Sequence, residues 1–145
     1  MIRPFSAAEA DAALTLYSHL VGDQPLADHA AFIALVSHPG TTVLGHWVAD
    51  VATSMATLHV LPNMTQGGRP YAVIENAVTH VAHRGAGHGR LVMEAAVDLA
   101  WDADCYKIML MTGRSAQARG FYEALGFDAE ERWAMTLRRA PLRQP

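Results

Sequence analysis

The chain has 145 residues, of which 51% are apolar and 17% charged, and this balance excludes a disordered chain and is enough for a sizeable core. The formal net charge of −3 provides no general attraction to nucleic acid or to an anionic membrane surface. A lone cysteine, Cys105, excludes an intrachain disulfide and is expected to be a buried small side chain. Without a signal peptide or an apolar run of about 18 residues, we expect a cytoplasmic protein.

The N-terminal half predicts two helices followed by a β-hairpin, after a short strand at the start. Ser6 and Glu9 have the spacing of a capping box, so a helix is predicted from here to about residue 20. A second helix is predicted from Pro25 to about residue 38, where a Pro-Gly pair ends it. The segments 41–48 and 51–61 are apolar and β-prone on either side of a tight turn, which is typical of a hairpin.

A loop at 62–70 leads into the second half, in which strands and helices alternate. The pattern predicts a central strand at 71–81, a helix to about residue 103, a strand at 107–112, a short helix at 117–125 that ends at Gly126, and closing strands at Phe127 and 133–138. This order is typical of an α/β fold with a mixed sheet. We expect one domain over residues 1–139 and a short polar tail at 140–145.

The junction between the central strand and the next helix is rich in glycine. Glycines 85, 87 and 89 remove Cβ atoms where the main chain must turn and present N–H groups. The N-terminus of the following helix directs partial positive charge at this turn, and Arg84 and Arg90 add full charges. The segment therefore predicts a pyrophosphate site. No Gly-Lys-Ser/Thr follows, which excludes a P-loop, and the Gly-x-Gly-x-Gly spacing does not fit the dinucleotide fingerprint; a purely structural turn remains the alternative.

Together with a second motif, this turn resembles the GNAT family of N-acetyltransferases. Residues 84–89 match the family's Arg-x-x-Gly-x-Gly acetyl-CoA motif, and a helix and a strand separate them from Phe-Tyr-Glu-Ala-Leu-Gly-Phe at 121–127. The resemblance covers most of the chain and implies the three-layer acyl-CoA N-acyltransferase fold, with a mixed central sheet flanked by helices. It implies that acetyl-CoA is the cosubstrate and is held by Ala77, Val78, Thr79, Arg84, Gly85, Ala86, Gly87, His88, Gly89 and Arg90. Ala118 replaces an asparagine that binds the cofactor in the family, so Gln117 is the candidate for that role here.

The resemblance also implies two catalytic side chains. Tyr122 matches the family's acid that protonates the departing thiolate, since phenols and thiols have comparable acidity. Glu75 stands where a carboxylate accepts the proton of the amine, and His80 is the alternative base. Because side chains alternate along a strand, we expect Glu75 to face away from Val78, whose N–H is the candidate oxyanion donor.

A closer similarity to glucosamine-6-phosphate N-acetyltransferases is partial. Those enzymes carry an acidic residue that contacts substrate where this chain has Met111, so the predicted acceptor is a small-molecule primary amine of no particular identity. We expect no metal, because histidines 80, 83 and 88 lack a Cys or carboxylate that would complete a site. A homodimer is a candidate assembly. The alternative functions are acetylation of a protein lysine or N-terminus, and a non-catalytic acyl-CoA-binding regulatory module.

Overall fold

The structure, a computed structural model, describes residues 1–139, and the predicted polar tail at 140–145 lies outside them. The chain divides into two compact units, of which the first is Met1–Leu110 and the second begins at Met111. The prediction of a single domain stays a prediction. Among residues 1–139, no helix is long and apolar enough to cross a membrane.

Five strands of the first unit form one mixed sheet, as the sequence predicts. In chain order and in spatial order they are β1 (Ile2–Pro4), β2 (Thr41–Val48), β3 (Val51–Leu61), β4 (Tyr71–Thr79) and β5 (Ile108–Leu110). Neighbours from β1 to β4 are antiparallel, whereas β5 runs parallel to β4. The hairpin of β2 and β3 has the bounds expected from its two apolar segments, so this prediction is confirmed.

Helices cover both faces of this sheet in the first unit. They are α1 (Ala10–Val21), α2 (His29–Ser37) and α3 (His88–Asp102), and the second unit holds α4 (Ala116–Glu123). The strand β3 is buried along both faces from residue 52 to residue 58. Its Met55 packs in one core with Leu16 of α1 and Phe32 of α2, while Val92 and Met93 of α3 are buried outside that cluster. The three-layer arrangement with a mixed sheet is confirmed.

The lone thiol lies at the end of the α3 segment and is inert by its surroundings. Cys105 is 1% exposed, which agrees with the predicted small buried side chain. Burial, helped by the neighbouring Asp104, raises the pKa of the Cys105 thiol. Because the thiolate is the nucleophilic form, this environment does not suit covalent catalysis.

The predicted capping box joins β1 to the segment that leads into α1. The backbone N–H of Ser6 donates to Oε2 of Glu9 at 2.8 Å, and the Arg3 guanidinium donates to both oxygens of the same carboxylate at 3.1 and 2.6 Å. These hydrogen bonds, above all those from Arg3, lower the pKa of Glu9 to about 2. The carboxylate therefore ties the first strand to the start of the first helical segment.

We expect Glu9→Gln to lower the free energy of unfolding by about 1 kcal/mol at pH 7, the usual scale of a lost cap and a partly exposed ion pair. Because the pKa of Glu9 is lower in the folded state than in the unfolded chain, this stabilisation is present above pH 4.5 and is lost as the pH falls toward about 2. Urea denaturation at pH 7 and about pH 3 checks this, and an equal difference at both pH values would contradict a role for the charge. Glu94→Gln, at an exposed ion pair with Arg90, is the matched control with an expected effect below about 0.5 kcal/mol.

The start of α2 and the length of β5 differ from prediction. The helix begins at His29 and not at Pro25, because the Asp28 side chain is the cap: its Oδ1 accepts a hydrogen bond from the N–H of Ala31 at 3.0 Å. The predicted strand at 107–112 is only three residues long. The capping side chain of Asp28 therefore predicts the start of α2 better than Pro25 does.

The predicted closing strands at Phe127 and 133–138 are wrong for the described part of the chain. Residues 127–139 form no strand, although Trp133, Met135 and Leu137 alternate with smaller or polar residues as a strand would. These three side chains are 94%, 88% and 101% exposed. An extended segment becomes a strand only when a neighbour pairs with its main chain, and none of the described strands does so here.

Candidate functional site

Pairing between the two parallel strands of the sheet ends at the middle of β4, where β5 itself ends. Pairing of β4 with β5 ends at Ile74 opposite Leu110, whereas β4 continues to Thr79. Within the first unit, residues 75–79 are paired with a strand on one side only, by β3. The other edge of this segment consists of main-chain donors and acceptors that an extended ligand can use as a neighbouring strand would.

A β-bulge lies at the start of this one-sided segment. Met55 pairs with Val78 and Thr57 pairs with Glu75, so the single residue between them on β3 faces two residues on β4, Asn76 and Ala77. Asn76 has a φ of 54°, in the left-handed region. Asparagine enters this region more readily than most residues, but the conformation still costs free energy and is concentrated at functional sites.

The bulge changes which side chains share a face. Met55 and Thr57 are two residues apart on β3 and face the same side, so their partners Val78 and Glu75 face that side as well. The expectation that Glu75 faces away from Val78 is therefore wrong. Regular alternation fails because the bulge adds one residue to β4 between them.

The end of β4 is held by side chains on both sides. The Ser54 hydroxyl donates to the carbonyl oxygen of Val78 at 2.9 Å and lies 2.9 Å from the Thr79 hydroxyl. On the far side of the strand end, Nε of Arg84 donates to the carbonyl oxygen of Thr79 at 3.3 Å. These bonds fix the strand end just before the chain turns.

The segment from Arg84 to Arg90, called the Gly-turn below, forms the junction of β4 and α3. Gly85 and Gly87 have φ values of 80° and 82°, and Gly87 is the N-cap of α3. A Cβ atom added at either glycine would meet nothing within 4 Å. Glycine is thus required by the backbone conformation, and the space in front of the turn is open to a ligand.

The other residues of the Gly-turn that are predicted to bind the cofactor, residues 88–90, form the first turn of α3. The first helical hydrogen bond runs from the N–H of Leu91 to the carbonyl of Gly87, so the N–H groups of His88, Gly89 and Arg90 precede the ladder. The charge of Arg90 is paired with Glu94 through a bond of 2.7 Å. The groups that this turn offers to an anion are therefore mainly backbone N–H groups and the helix dipole, and such groups suit a diphosphate.

His80, the alternative base, is already used by the fold. Its Nδ1 accepts a hydrogen bond from the N–H of Ala82 at 3.1 Å and caps the 3₁₀ turn Val81–His83. A neutral imidazole that accepts at Nδ1 carries its proton on Nε2. His80 then has no free lone pair for the amine's proton, which favours Glu75 as the base.

Five histidine rings lie in succession from α1 to β2, and they are called the histidine row below. Ring centroids are 4.2 Å apart between His19 and His80, 5.5 Å between His80 and His83, 5.7 Å between His83 and His88, and 4.2 Å between His88 and His46. Two of them lie at the Gly-turn, since His83 directly precedes it and His88 belongs to it. The sequence singles out only the three histidines of the turn region, because His19 and His46 come from distant elements.

The second unit holds the two other predicted site residues, Gln117 and Tyr122, both on α4. The Tyr122 ring makes edge contacts with Phe121 and Phe127, at centroid distances of 5.0 and 6.2 Å. As predicted, Gly126 ends the helix: it has a φ of 93°, and the N–H of Phe127 bonds to the carbonyl of Tyr122 at 3.1 Å. The motif around Tyr122 is therefore a capped helix end with an aromatic cluster.

The structure brings together the predicted site residues of the first unit on one continuous stretch. Glu75, the segment 77–79 and the Gly-turn follow one another from the bulge of β4 to the first turn of α3. Sequence reasoning missed Asn76, which makes the bulge. The only signal in the sequence was its residue type, since asparagine tolerates a positive φ.

Comparison with known proteins agrees with this geometry. A family model described as the acetyltransferase (GNAT) family matches residues 8–127. A solved structure from Agrobacterium tumefaciens is 35% identical, with a TM-score of 0.91 over 96% of this chain and 99% of the other. An acetyltransferase of Trypanosoma brucei is 30% identical, with a TM-score of 0.79 over 95% of this chain and 98% of the other.

A curated relative points in the same direction over a shorter stretch. The glucosamine 6-phosphate N-acetyltransferase of Trypanosoma brucei brucei is 35% identical over 92 residues, which is 63% of this chain and 61% of the relative. The match thus spans about three fifths of that relative's length.

Proposed function

Because the chain belongs to the GNAT acetyltransferase family, we propose that it is an N-acetyltransferase that transfers the acetyl group of acetyl-CoA to a primary amine of a small molecule. The observation that carries the proposal is the edge of β4 over residues 75–79 that no second strand of the first unit pairs with, followed after one 3₁₀ turn by the Gly-turn. A strand edge followed by an anion-binding turn suits a ligand with an extended arm that ends in a diphosphate.

The residues that would hold acetyl-CoA follow from that edge. Main-chain groups of 77–79 are assigned to the pantetheine arm, and those of the Gly-turn to the pyrophosphate. Gln117 is assigned to a further contact on the strength of the family resemblance. The space beside Gly85 and Gly87 supports the fit, since a Cβ atom added at either position would meet no atom of the described residues within 4 Å.

Acetyl-CoA supplies an acetyl group as a thioester, which a neutral amine attacks directly in a ternary complex. Glu75 accepts the proton of the amine, directly or through water. The N–H of Val78 stabilises the negative charge that develops on the carbonyl oxygen. Tyr122 donates its phenolic proton to the departing thiolate, so the products are an N-acetylated amine and free CoA. Glu75 then releases its proton to solvent and Tyr122 regains one from solvent, which restores the starting state. The position of Glu75 at the start of the one-sided segment of β4 supports the first role, and the role of the Val78 N–H is assigned from the family resemblance.

We expect Glu75→Gln to slow acetylation by about 10–10³-fold and to leave acetyl-CoA affinity within about twofold, the pattern of a lost general base. The rate of the variant should recover partly at higher pH, because more of the amine is then neutral without help. Steady-state rates by thiol release across pH, with affinity by calorimetry, check this. Asp98→Asn, an exposed carboxylate on α3, is the control; a Glu75→Gln rate equal to the Asp98→Asn rate at every pH would argue against the role.

The acceptor is proposed as a small amine of undetermined identity. The curated relative is named for glucosamine 6-phosphate, which makes amino sugars the first compounds to test. In this chain Met111 replaces the acidic residue that the sugar-phosphate enzymes use at that position. We therefore expect glucosamine 6-phosphate to be a poor acceptor compared with amines that need no carboxylate partner.

A homodimer and a cytoplasmic location are also proposals. The exposure of Trp133, Met135 and Leu137 supports self-association, since three large apolar side chains in one short segment are seldom left open to water. Light scattering after gel filtration measures the assembly directly.

The test of the proposed function is calorimetric titration of the full chain with acetyl-CoA, CoA, NAD and ATP in parallel. Micromolar binding of acetyl-CoA with no binding of NAD or ATP supports the cosubstrate, and an amine screen by thiol release then identifies the acceptor. Preference for NAD or ATP, or no binding at all, would remove the proposal. Binding of acetyl-CoA without turnover on any amine or peptide would favour a regulatory module.

A further inference from the structure

The histidine row crosses the Gly-turn and joins four elements of the first unit. His19 comes from α1, His46 from β2, His80 and His83 from the 3₁₀ turn, and His88 from the first position of α3. Among residues 1–139, no group of three His, Cys, Asp or Glu side chains is arranged to hold a metal ion.

The charged neighbours that act on two members of the row, His46 and His80, are basic. Burial first, and then His88, the N-terminal ammonium and His83, lower the pKa of His46. Burial first, and then His19, His83 and Arg84, lower the pKa of His80. The nearest acidic residue of α3 in sequence, Glu94, is paired with Arg90. A proton added to His46 or His80 thus meets like charge from these neighbours, and a bound anion would offset that repulsion.

Hydrogen bonds hold two rings of the row, His46 and His80, whereas one nitrogen at the Gly-turn has no partner among the described residues. The hydroxyl of Thr53 donates to the carbonyl oxygen of His46 at 3.1 Å, so Nδ1 of His46 donates to that hydroxyl at 2.8 Å. In contrast, Nδ1 of His88 is buried with no hydrogen-bond partner among the described residues. A buried imidazole nitrogen without a partner costs free energy, and His88 is the member of the row that belongs to the Gly-turn.

We propose that the histidine row takes up protons when the diphosphate of acetyl-CoA binds at the Gly-turn, so that affinity for the cofactor increases as the pH falls from 8 to 6. This rests on the proposed function, because it requires acetyl-CoA at that turn. Two phosphate charges beside the row favour its protonated form, and by linkage protonation favours the bound anion. One proton taken up on binding strengthens affinity by up to about tenfold per pH unit over the range in which the free row is neutral and the bound row is charged.

The test is calorimetric titration of the full chain with acetyl-CoA at pH 6, 7 and 8, each in two buffers with different ionisation enthalpies. The difference in heat between buffers gives the number of protons taken up. Acetyl-3′-dephospho-CoA is titrated in parallel, because the 3′-phosphate of CoA itself gains a proton near about pH 6. The variants are His88→Gln and His83→Gln, and the control is His59→Gln, a histidine of β3 bonded to Thr41 and outside the row.

For the unaltered chain and for His59→Gln we expect about 3–30-fold tighter binding at pH 6 than at pH 8, with proton uptake at pH 7, for both cofactor forms. In His88→Gln and His83→Gln this ratio should fall toward one. If the affinity for acetyl-CoA changed by the same factor between pH 8 and pH 6 in all four proteins, the coupling would be overturned and the proposed function would stand. Absence of acetyl-CoA binding at every pH would overturn both.

Discussion

Gly87→Asp should weaken acetyl-CoA binding by at least about 100-fold, whereas Gly87→Asn should weaken it by less than about tenfold. Position 87 has a φ of 82° and caps α3 at the centre of the Gly-turn. Asn and Asp have nearly the same size, and both tolerate the left-handed region better than other residues that have a side chain. The difference between the two variants therefore isolates a negative charge placed against the expected pyrophosphate, worth about 1.4 kcal/mol per tenfold.

Calorimetry with acetyl-CoA measures both variants, and thermal unfolding verifies that they are equally folded. Gly67→Asp serves as a control for adding a carboxylate at a left-handed glycine, because Gly67 has a φ of 69° and open space around it. Equal affinities for Gly87→Asp and Gly87→Asn would show that the turn does not hold an anion.

Tyr122→Phe should reduce kcat by about 10–10³-fold and leave acetyl-CoA affinity nearly unchanged, the effect of removing a general acid. The substitution deletes one oxygen and keeps the ring, so the edge contacts with Phe121 and Phe127 and the capped end of α4 should survive. Single-turnover rates with acetyl-CoA and the best amine of the screen measure the chemical step.

Tyr71→Phe is the matched control for this prediction. Tyr71 opens β4 opposite Leu61, outside the one-sided segment 75–79, and has no role in the proposed chemistry. A full rate for Tyr122→Phe over the whole pH range, indistinguishable from that of Tyr71→Phe, would assign Tyr122 a packing role only.

Local signals in the sequence were sufficient for most of the fold. Apolar, β-prone segments on either side of a tight turn predicted the hairpin of β2 and β3, and the glycine at 126 predicted a left-handed residue just after α4. The prediction of α2 failed where a proline was preferred to Asp28 as the start signal. The closing strands failed because their pattern states only that a segment can pair, while the presence of a neighbour is a property of the assembled chain.

The candidate site was predictable in position but not in detail. The glycines and arginines of the Gly-turn are adjacent in the sequence, so one motif locates them. The shared face of Glu75 and Val78 depends on the bulge at Asn76, which a rule of strict alternation cannot anticipate. His19 and His46 join the histidine row only through tertiary packing, since each contacts a histidine far from it in the sequence: His19 lies beside His80, and His46 lies beside His88.

The free edge of β4 has a consequence for how such a chain can diversify. Contacts made by main-chain N–H and C=O groups persist through almost any exchange of side chain, and only proline removes a donor. Under the proposed function, positions 77–79 can therefore accept wide variation without losing the cosubstrate. Selection could then alter the residues that contact the amine while the same donor of acetyl groups is kept, which separates the evolution of specificity from the evolution of chemistry.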